Sequence, residues 1–193
     1  MRVLVACEYS ARVRCALRRA GHDAWSVDIV PTMGNPRWHI QGDALDTAYR
    51  YEWDMMIAFP PCTYLSAVNA RNWKALRQRG LQQHAAWFFK ALYMAPIPHV
   101  AIENPAGYMN THWRKPDQII NPYQFGDPWT KRTCLWLKDL PLLQPTNRVS
   151  TYGPWVSGGA GGFEGAHHSV LLRSRTFRGI ARAMADQWGS ALV

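Results

Sequence analysis

The sequence predicts an α/β fold in which a mostly parallel sheet carries helices on both faces. Three observations lead there. Short apolar or β-branched runs alternate with amphipathic segments. The repeated strand-helix-strand order is the signature of a parallel sheet. The residues with chemical potential, Glu8, Asp28, Asp43, Cys62 and Glu103, each fall just where a predicted strand ends. With 193 residues, 48% of them hydrophobic, the chain can bury one good core but hardly two, so a single domain over 1-193 is expected.

The elements follow in order. Arg2 to Ala6 (RVLVA) reads as a buried central strand. Ser10 is placed to cap the helix after it, where Val13, Ala16, Leu17 and Ala20 recur at helical spacing and Gly21 supplies the stop. Ala24 to Ile29 makes a second strand ending near Asp28, and Pro31 to Pro36 is rich in turn formers. A short third strand near Trp38 to Gln41 leads into Gly42-Asp43. Asp54 to Phe59 forms a fourth strand, ended by Pro60-Pro61, which cannot continue a ladder.

Asn72 to Met94 reads as one helix with Trp73, Leu76, Ala85, Phe88, Phe89 and Leu92 inward and Gly80 as its weak point. Pro96 and Pro98 stop it. His99 to Ile102 is a fifth strand closed by Glu103-Asn104-Pro105, and Arg132 to Leu137 a sixth. Val156 to Gly165 is too rich in glycine for a regular element and reads as a flexible loop. A returning helix over 176-188 sets Ile180, Ala183, Met184 and Trp188 on one face.

Charge and cysteine content narrow the partners. Twenty-two Lys and Arg against thirteen Asp and Glu leave a formal charge of +9, an excess that suits a polyanion and puts nucleic acid first. Cys7, Cys15, Cys62 and Cys134 make no CxxC pair, so they read as reduced thiols with no zinc site. No apolar stretch approaches the ~20 residues that cross a bilayer. A cytoplasmic protein without membrane or metal is expected, as a monomer or weak dimer.

The chemistry centres on Cys62 and Glu103. A strand-end loop, a long helix and a strand separate them, which is a single right-handed crossover. If the two strands are neighbours, thiol and carboxyl face one small ring. Such a pair suits attack on cytosine: a thiolate adding to C6 makes C5 nucleophilic, and a carboxyl at N3 supplies a proton as charge develops. A lone Cys after a strand is otherwise a small buried hydrophobe, and Glu-Asn-Pro a polar strand end with a turn.

Pro60-Pro61-Cys62 and Glu103-Asn104 resemble the catalytic motifs of the cytosine-C5 DNA methyltransferases. The layout is similar to the short, phage-type members, which lack a large target-recognition domain. The resemblance implies a Rossmann-like S-adenosylmethionine-dependent methyltransferase fold, DNA as substrate (single- or double-stranded), and the cytoplasm, a host's if the chain is of phage origin. It makes Cys62 the nucleophile and Glu103 the group that holds N3 and the exocyclic amine.

Thr130-Lys131-Arg132-Thr133 falls where the family carries a basic motif, which implies Arg132 at cytosine O2 and Lys131 at a phosphate, with Asn104 also on the nucleic acid. In place of the family's Gly-rich first loop stands Cys7-Glu8-Tyr9-Ser10-Ala11. That loop argues against a dinucleotide, whose pyrophosphate needs glycines. The cofactor-binding set expected is Glu8, Tyr9, Ser10, Asp28, Asp43 and Pro60: Glu8 facing the ammonium of S-adenosylmethionine, the capped helix start at Ser10 its carboxylate, Asp28 the ribose and Asp43 the adenine amine. Either aspartate could instead be an ordinary cap or turn residue.

Other signals carry two readings each. Trp113, Trp129 and Trp155 either stack on a base or pack. Arg12, Arg14, Arg18 and Arg19 either track phosphate or form a solvated face. His167 and His168 with Cys134 lack metal-ligand spacing. Rival functions are modification of a free deoxycytidine nucleotide, transfer of a group other than methyl, and a catalytically silent DNA-binding relative.

Overall fold

Alternation along the strands decides how the sheet is covered. In the computed structural model, which describes residues 1–151, 153 and 174–191, β1 (Arg2–Ala6) and β4 (Met55–Ala58) lie side by side and parallel. Val3, Val5, Met55 and Ile57 face one way, into a cluster with Val13 and Leu17 of α1 (Arg12–Arg19) and Ile180, Ala183, Met184 and Trp188 of the last helix. Leu4, Ala6, Met56 and Ala58 face the other, against Ala44 and Ala48 of α2 (Ala44–Arg50) and Phe89 and Leu92 of a later helix. All eight of these strand side chains are fully buried. Each stabilises the fold by roughly 1.5–3 kcal/mol if large, so both helical layers are held by the sheet between them.

Five parallel strands come first: β2 (Asp23–Asp28), β3 (His39–Gln41) and β5 (His99–Pro105) join β1 and β4. The sixth predicted strand is in fact the seventh, β7 (Thr133–Lys138), and runs antiparallel to β5. A short β6 (Gln118–Ile120), which the sequence reading lacked, pairs antiparallel with β7 at the edge. The order is β3-β2-β1-β4-β5-β7-β6. The order in which successive strands are added reverses between β1 and β4, and crevices outside the carboxyl ends of strands form at such a switch point.

Three helical expectations need correction. The predicted helix from Asn72 to Met94 is two, α3 (Trp73–Gln78) and α4 (Leu81–Tyr93), preceded by a 3-10 turn over Ala67–Asn72. Gly80 breaks it at φ +71, a conformation that disfavours every residue with a Cβ. Helix α2 is new. Its seven residues are too few for a periodic signal, and Asp43 caps it by accepting from the Asp46 amide at 2.9 Å. Ser10 is not the N-cap of α1; Ala11 is, in the left-handed region at φ 59. After α5 (Tyr108–His112), the last described helix, α6 (Arg178–Ala191), starts two residues later than predicted and runs beyond its expected end.

Three of the tryptophans serve the core. Trp53, Trp136 and Trp188 are buried, and each indole N–H reaches a carbonyl: Thr47, Arg114 and Pro141. Trp113 packs edge-on against Phe89 and Tyr93, with ring centroids 5.6 and 5.0 Å away. The glycine-rich loop at 156-165, Trp155, His167 and His168 lie outside the described residues.

Candidate active site

β1 to β5 all end at one edge of the sheet, and β7, which runs the other way, begins there. At the ends of β4 and β5, backbone connections lace two loops together. The Cys62 carbonyl accepts from Leu65 and Ser66, closing a turn behind the cysteine. Ala67 then donates to Ala106, and Tyr108 to Leu65, in a bridge between Ser66 and Gly107. The chains approach so closely that a Cβ on Gly107 would stand 2.0 Å from the Leu65 carbonyl oxygen. From α4, the buried Gln82 donates to the Tyr64 carbonyl at 3.1 Å.

This lacing holds Cys62 exposed, whereas Cys134 is fully buried in the sheet. The small-buried-hydrophobe reading thus belongs to Cys134. Asn104 is 1% exposed, and its amide donates to the Pro60 carbonyl at 2.8 Å. The side chain expected at nucleic acid thus ties the end of β5 to the loop that carries Cys62. Pro60 is likewise buried, with its carbonyl so engaged.

Glu103 sits beside Asn104 on β5. Burial pushes its carboxyl above the usual carboxylate range, and Lys131 opposes the shift. Among the described residues its side chain accepts no hydrogen bond. Glu103, Lys131, Phe59 and Thr133 line one small cavity that Phe177 and Ile180 close. Lys131 is thus the cation beside the acid, and its ammonium lies 6.0 Å from the Phe177 ring. Arg132 is exposed. The two basic residues are brought to the same edge, but only Lys131 enters the cavity with Glu103.

The other half of the edge is formed by β1, β2 and β3. Cys7 ends β1 at φ 57, and its thiol is pushed up by burial and then by Asp28 and Asp43. All three therefore surround one spot, although nothing in the sequence had singled out Cys7. Asp28 is half-buried and also accepts from the Val30 amide, while Asp43 is exposed. These acceptors suit hydroxyls and an amine.

Glu8 and Ser10 are arranged otherwise than expected. Glu8 is 3% exposed and turned inward, accepting from the Val13 amide at 2.7 Å and the Arg14 amide at 3.2 Å. Ser10 donates to Glu8 and accepts from the Arg12 amide. The first donors of α1 are therefore occupied by the protein itself, so the helix start does not present them to a cofactor carboxylate. Desolvation raises the Glu8 carboxyl to about 7 against the lowering effect of these partners. Tyr9 is buried, and its carbonyl receives the Met33 amide and the Thr32 hydroxyl.

Arg14 also departs from both sequence readings. It is 1% exposed and bonds Ser26 Oγ and the Trp38 carbonyl, making it a strut between α1, β2 and the approach to β3. Among the described residues no group of three potential ligands could hold a metal, and no helix is long and apolar enough to cross a membrane.

No protein-family model and no curated protein matches the sequence. Solved structures do. The chain is similar to the Entamoeba histolytica methyltransferase EhMeth, with a TM-score of 0.51 and 13% identity over 76% of this chain and 57% of that one. It is also similar to a protein described as a DNA modification methyltransferase encoded within an E. coli prophage, with a TM-score of 0.50 and 17% identity over 77% of this chain and 51% of that one. The chain spans about half the length of these structures. The seven-stranded, mostly parallel sheet and these likenesses define a Rossmann-like methyltransferase fold, the fold class that the Pro-Pro-Cys and Glu-Asn motifs had implied.

Proposed function

We propose that this chain is an S-adenosylmethionine-dependent methyltransferase acting on carbon 5 of cytosine in DNA, with Cys62 as nucleophile and Glu103 as acid. The observation that carries this reading is the lacing of the Cys62 loop to the end of β5, which sets an exposed thiol in the loop after β4 and a carboxyl with a raised pKa at the end of the adjacent strand. The Cys62 thiolate adds to C6 while the Glu103 carboxyl gives its proton to N3, so the ring electrons become available at C5. After C5 is alkylated, loss of its proton, departure of Cys62 as thiolate and return of the N3 proton to Glu103 restore the neutral aromatic ring. Lys131 offsets the charge left on Glu103 once its proton has gone.

The residues at the ends of β1–β3 fit the cofactor: Asp28 accepts from ribose hydroxyls and Asp43 from the adenine amine, around Cys7. Bound there, S-adenosylmethionine supplies an electrophilic methyl group. In duplex DNA the base must leave the stack to reach the cavity. Arg132, exposed beside Lys131, meets the flipped nucleotide. The whole activity is assigned to one domain.

The test is transfer of labelled methyl to single-stranded DNA, duplex DNA and free dCMP, with Cys62→Ala alongside. Label in 5-methylcytosine of DNA that disappears in the variant supports the reading. Label on dCMP alone replaces DNA with the nucleotide, and no label on any substrate overturns methyl transfer. A covalent adduct on a fluorocytosine oligonucleotide, absent in the variant, identifies the nucleophile separately.

A further inference from the structure

Helices α1 and α6 lie side by side on one face of the sheet. At the site edge, Arg12 donates to the Thr176 carbonyl at 2.7 Å just before α6 begins. At the other end Gly189 is so near His22 that an added Cβ would meet its ring at 2.3 Å. Between these points runs a cleft of about 590 Å³. Arg12 and Arg19 of α1 line it with Arg175, Arg178 and Arg182, against a single acid, Asp186.

We infer that this cleft binds the phosphodiester backbone of the DNA strand that leads into the active site. The inference rests on the reading of DNA as substrate and adds a surface outside the Pro-Pro-Cys and Glu-Asn motifs, joined to the catalytic cavity through Arg175, which lines both. Its geometry matches a strand. Arg12 and Arg19 are two helical turns apart, roughly 10 Å, and Arg178 and Arg182 one turn, roughly 6 Å. At about 3.4 Å of axis per phosphate, the cleft faces on the order of three phosphates.

The way charge is distributed favours a ligand over a merely solvated face. The arginine–aspartate ion pairs among the described residues lie elsewhere: Arg18 with Asp23, Arg50 with Asp46 and Arg114 with Asp117. The five cleft arginines make none among the described residues. Burial and the nearby Arg175 and Arg178 disfavour the charge on Arg12. The Arg175 Nε is buried with no hydrogen-bond partner among the described residues. Gathering like charges in a half-enclosed groove costs folding free energy, and an anionic strand supplies the missing counter-charge.

The experiment is fluorescence anisotropy of the full chain with a labelled oligonucleotide, single-stranded and duplex, across a salt series. Arg19→Ala, Arg178→Ala and Arg182→Ala are combined, each residue being exposed, and compared with an equally charged control combining Arg50→Ala, Lys90→Ala and Lys115→Ala. Thermal melts establish that both variants fold. The cleft variant is expected to bind about tenfold or more weakly at low salt, with the slope of log affinity against log salt reduced by about 2–3, and the control by much less. Equal losses in both variants, or unchanged binding by the cleft variant, overturn the surface. Methyl transfer measured in parallel separates the two readings. Transfer without a cleft effect removes the surface and keeps the enzyme, whereas cleft-dependent binding without transfer keeps the surface and removes the enzyme.

Discussion

Glu8 and Glu103 are two carboxyls at the same edge of the sheet, both raised above the usual range by burial, yet their surroundings differ. Glu8 is enclosed by donors: two backbone amides of α1 and the Ser10 hydroxyl bond it, and Arg14 lies close. Glu103 has Lys131 as the cation that acts on its carboxyl, opens on a cavity that Arg175 also lines, and accepts no hydrogen bond among the described residues. A raised pKa is therefore not a mark of chemistry. What distinguishes an acid available for reaction is unused hydrogen-bonding capacity facing a space that a ligand can enter.

The sharpest test of that difference is Glu103→Gln. It keeps the shape and removes the proton, and kcat/KM for transfer should fall about 10²–10⁴-fold with the melting temperature nearly unchanged. Glu8→Gln should leave transfer nearly intact. Comparable losses of activity in the two variants would show that the distinction drawn here is false.

The second test is pH. The folded Glu8 carboxyl titrates near 7, above its ordinary value of 4.5, so the native state holds the proton more tightly than the unfolded chain. Stability from this group is complete at low pH and declines as pH rises from about 4.5 through about 7, by about 3 kcal/mol. The difference in urea-unfolding free energy between the parent and Glu8→Gln should follow that curve. A constant difference would mean that Glu8 titrates alike in the folded and unfolded chain, with its carboxyl not raised by burial.

Smaller effects come from the backbone beside each carboxyl. Gly107→Ala drives a methyl into the Leu65 carbonyl and should cost about 1–3 kcal/mol while displacing the Cys62 loop, read as slower thiol labelling or transfer with Glu103 untouched. Beside Glu8, Ala11 holds a left-handed conformation at φ 59. Ala11→Gly should therefore be neutral or stabilise by up to about 1 kcal/mol in thermal unfolding. A clear loss would mean that the Ala11 methyl contributes packing worth more than the strain it carries.

Much of this was legible in the sequence because alternation and turn chemistry are local. The strand runs of β1, β2, β4 and β5 were placed to within a few residues, and Pro60-Pro61 marked the end of β4 by removing donors. What escaped depends on tertiary context. The break at Gly80 needed a backbone angle, and β6, three residues long, gains its identity only from pairing with β7. The inward turn of Glu8, the strut made by Arg14 and the approach of Asp28 and Asp43 to Cys7 arise from packing between elements distant in sequence. Lys131 and Arg132 are neighbours in sequence, and nothing local says which of them enters the cavity.

Because β7 runs against β5, the cavity receives the residues that precede this strand rather than those that follow it. A parallel strand would have delivered its exit loop and the helix after it, both tied to the sheet. Here the approach to Thr133 is what reaches the edge, and the chain departs from the opposite side at Lys138. The identity and number of cations around the acid can thus change through edits to a short incoming segment, with every strand pairing left in place. Substrate preference and sheet integrity are separately adjustable at this corner of the molecule.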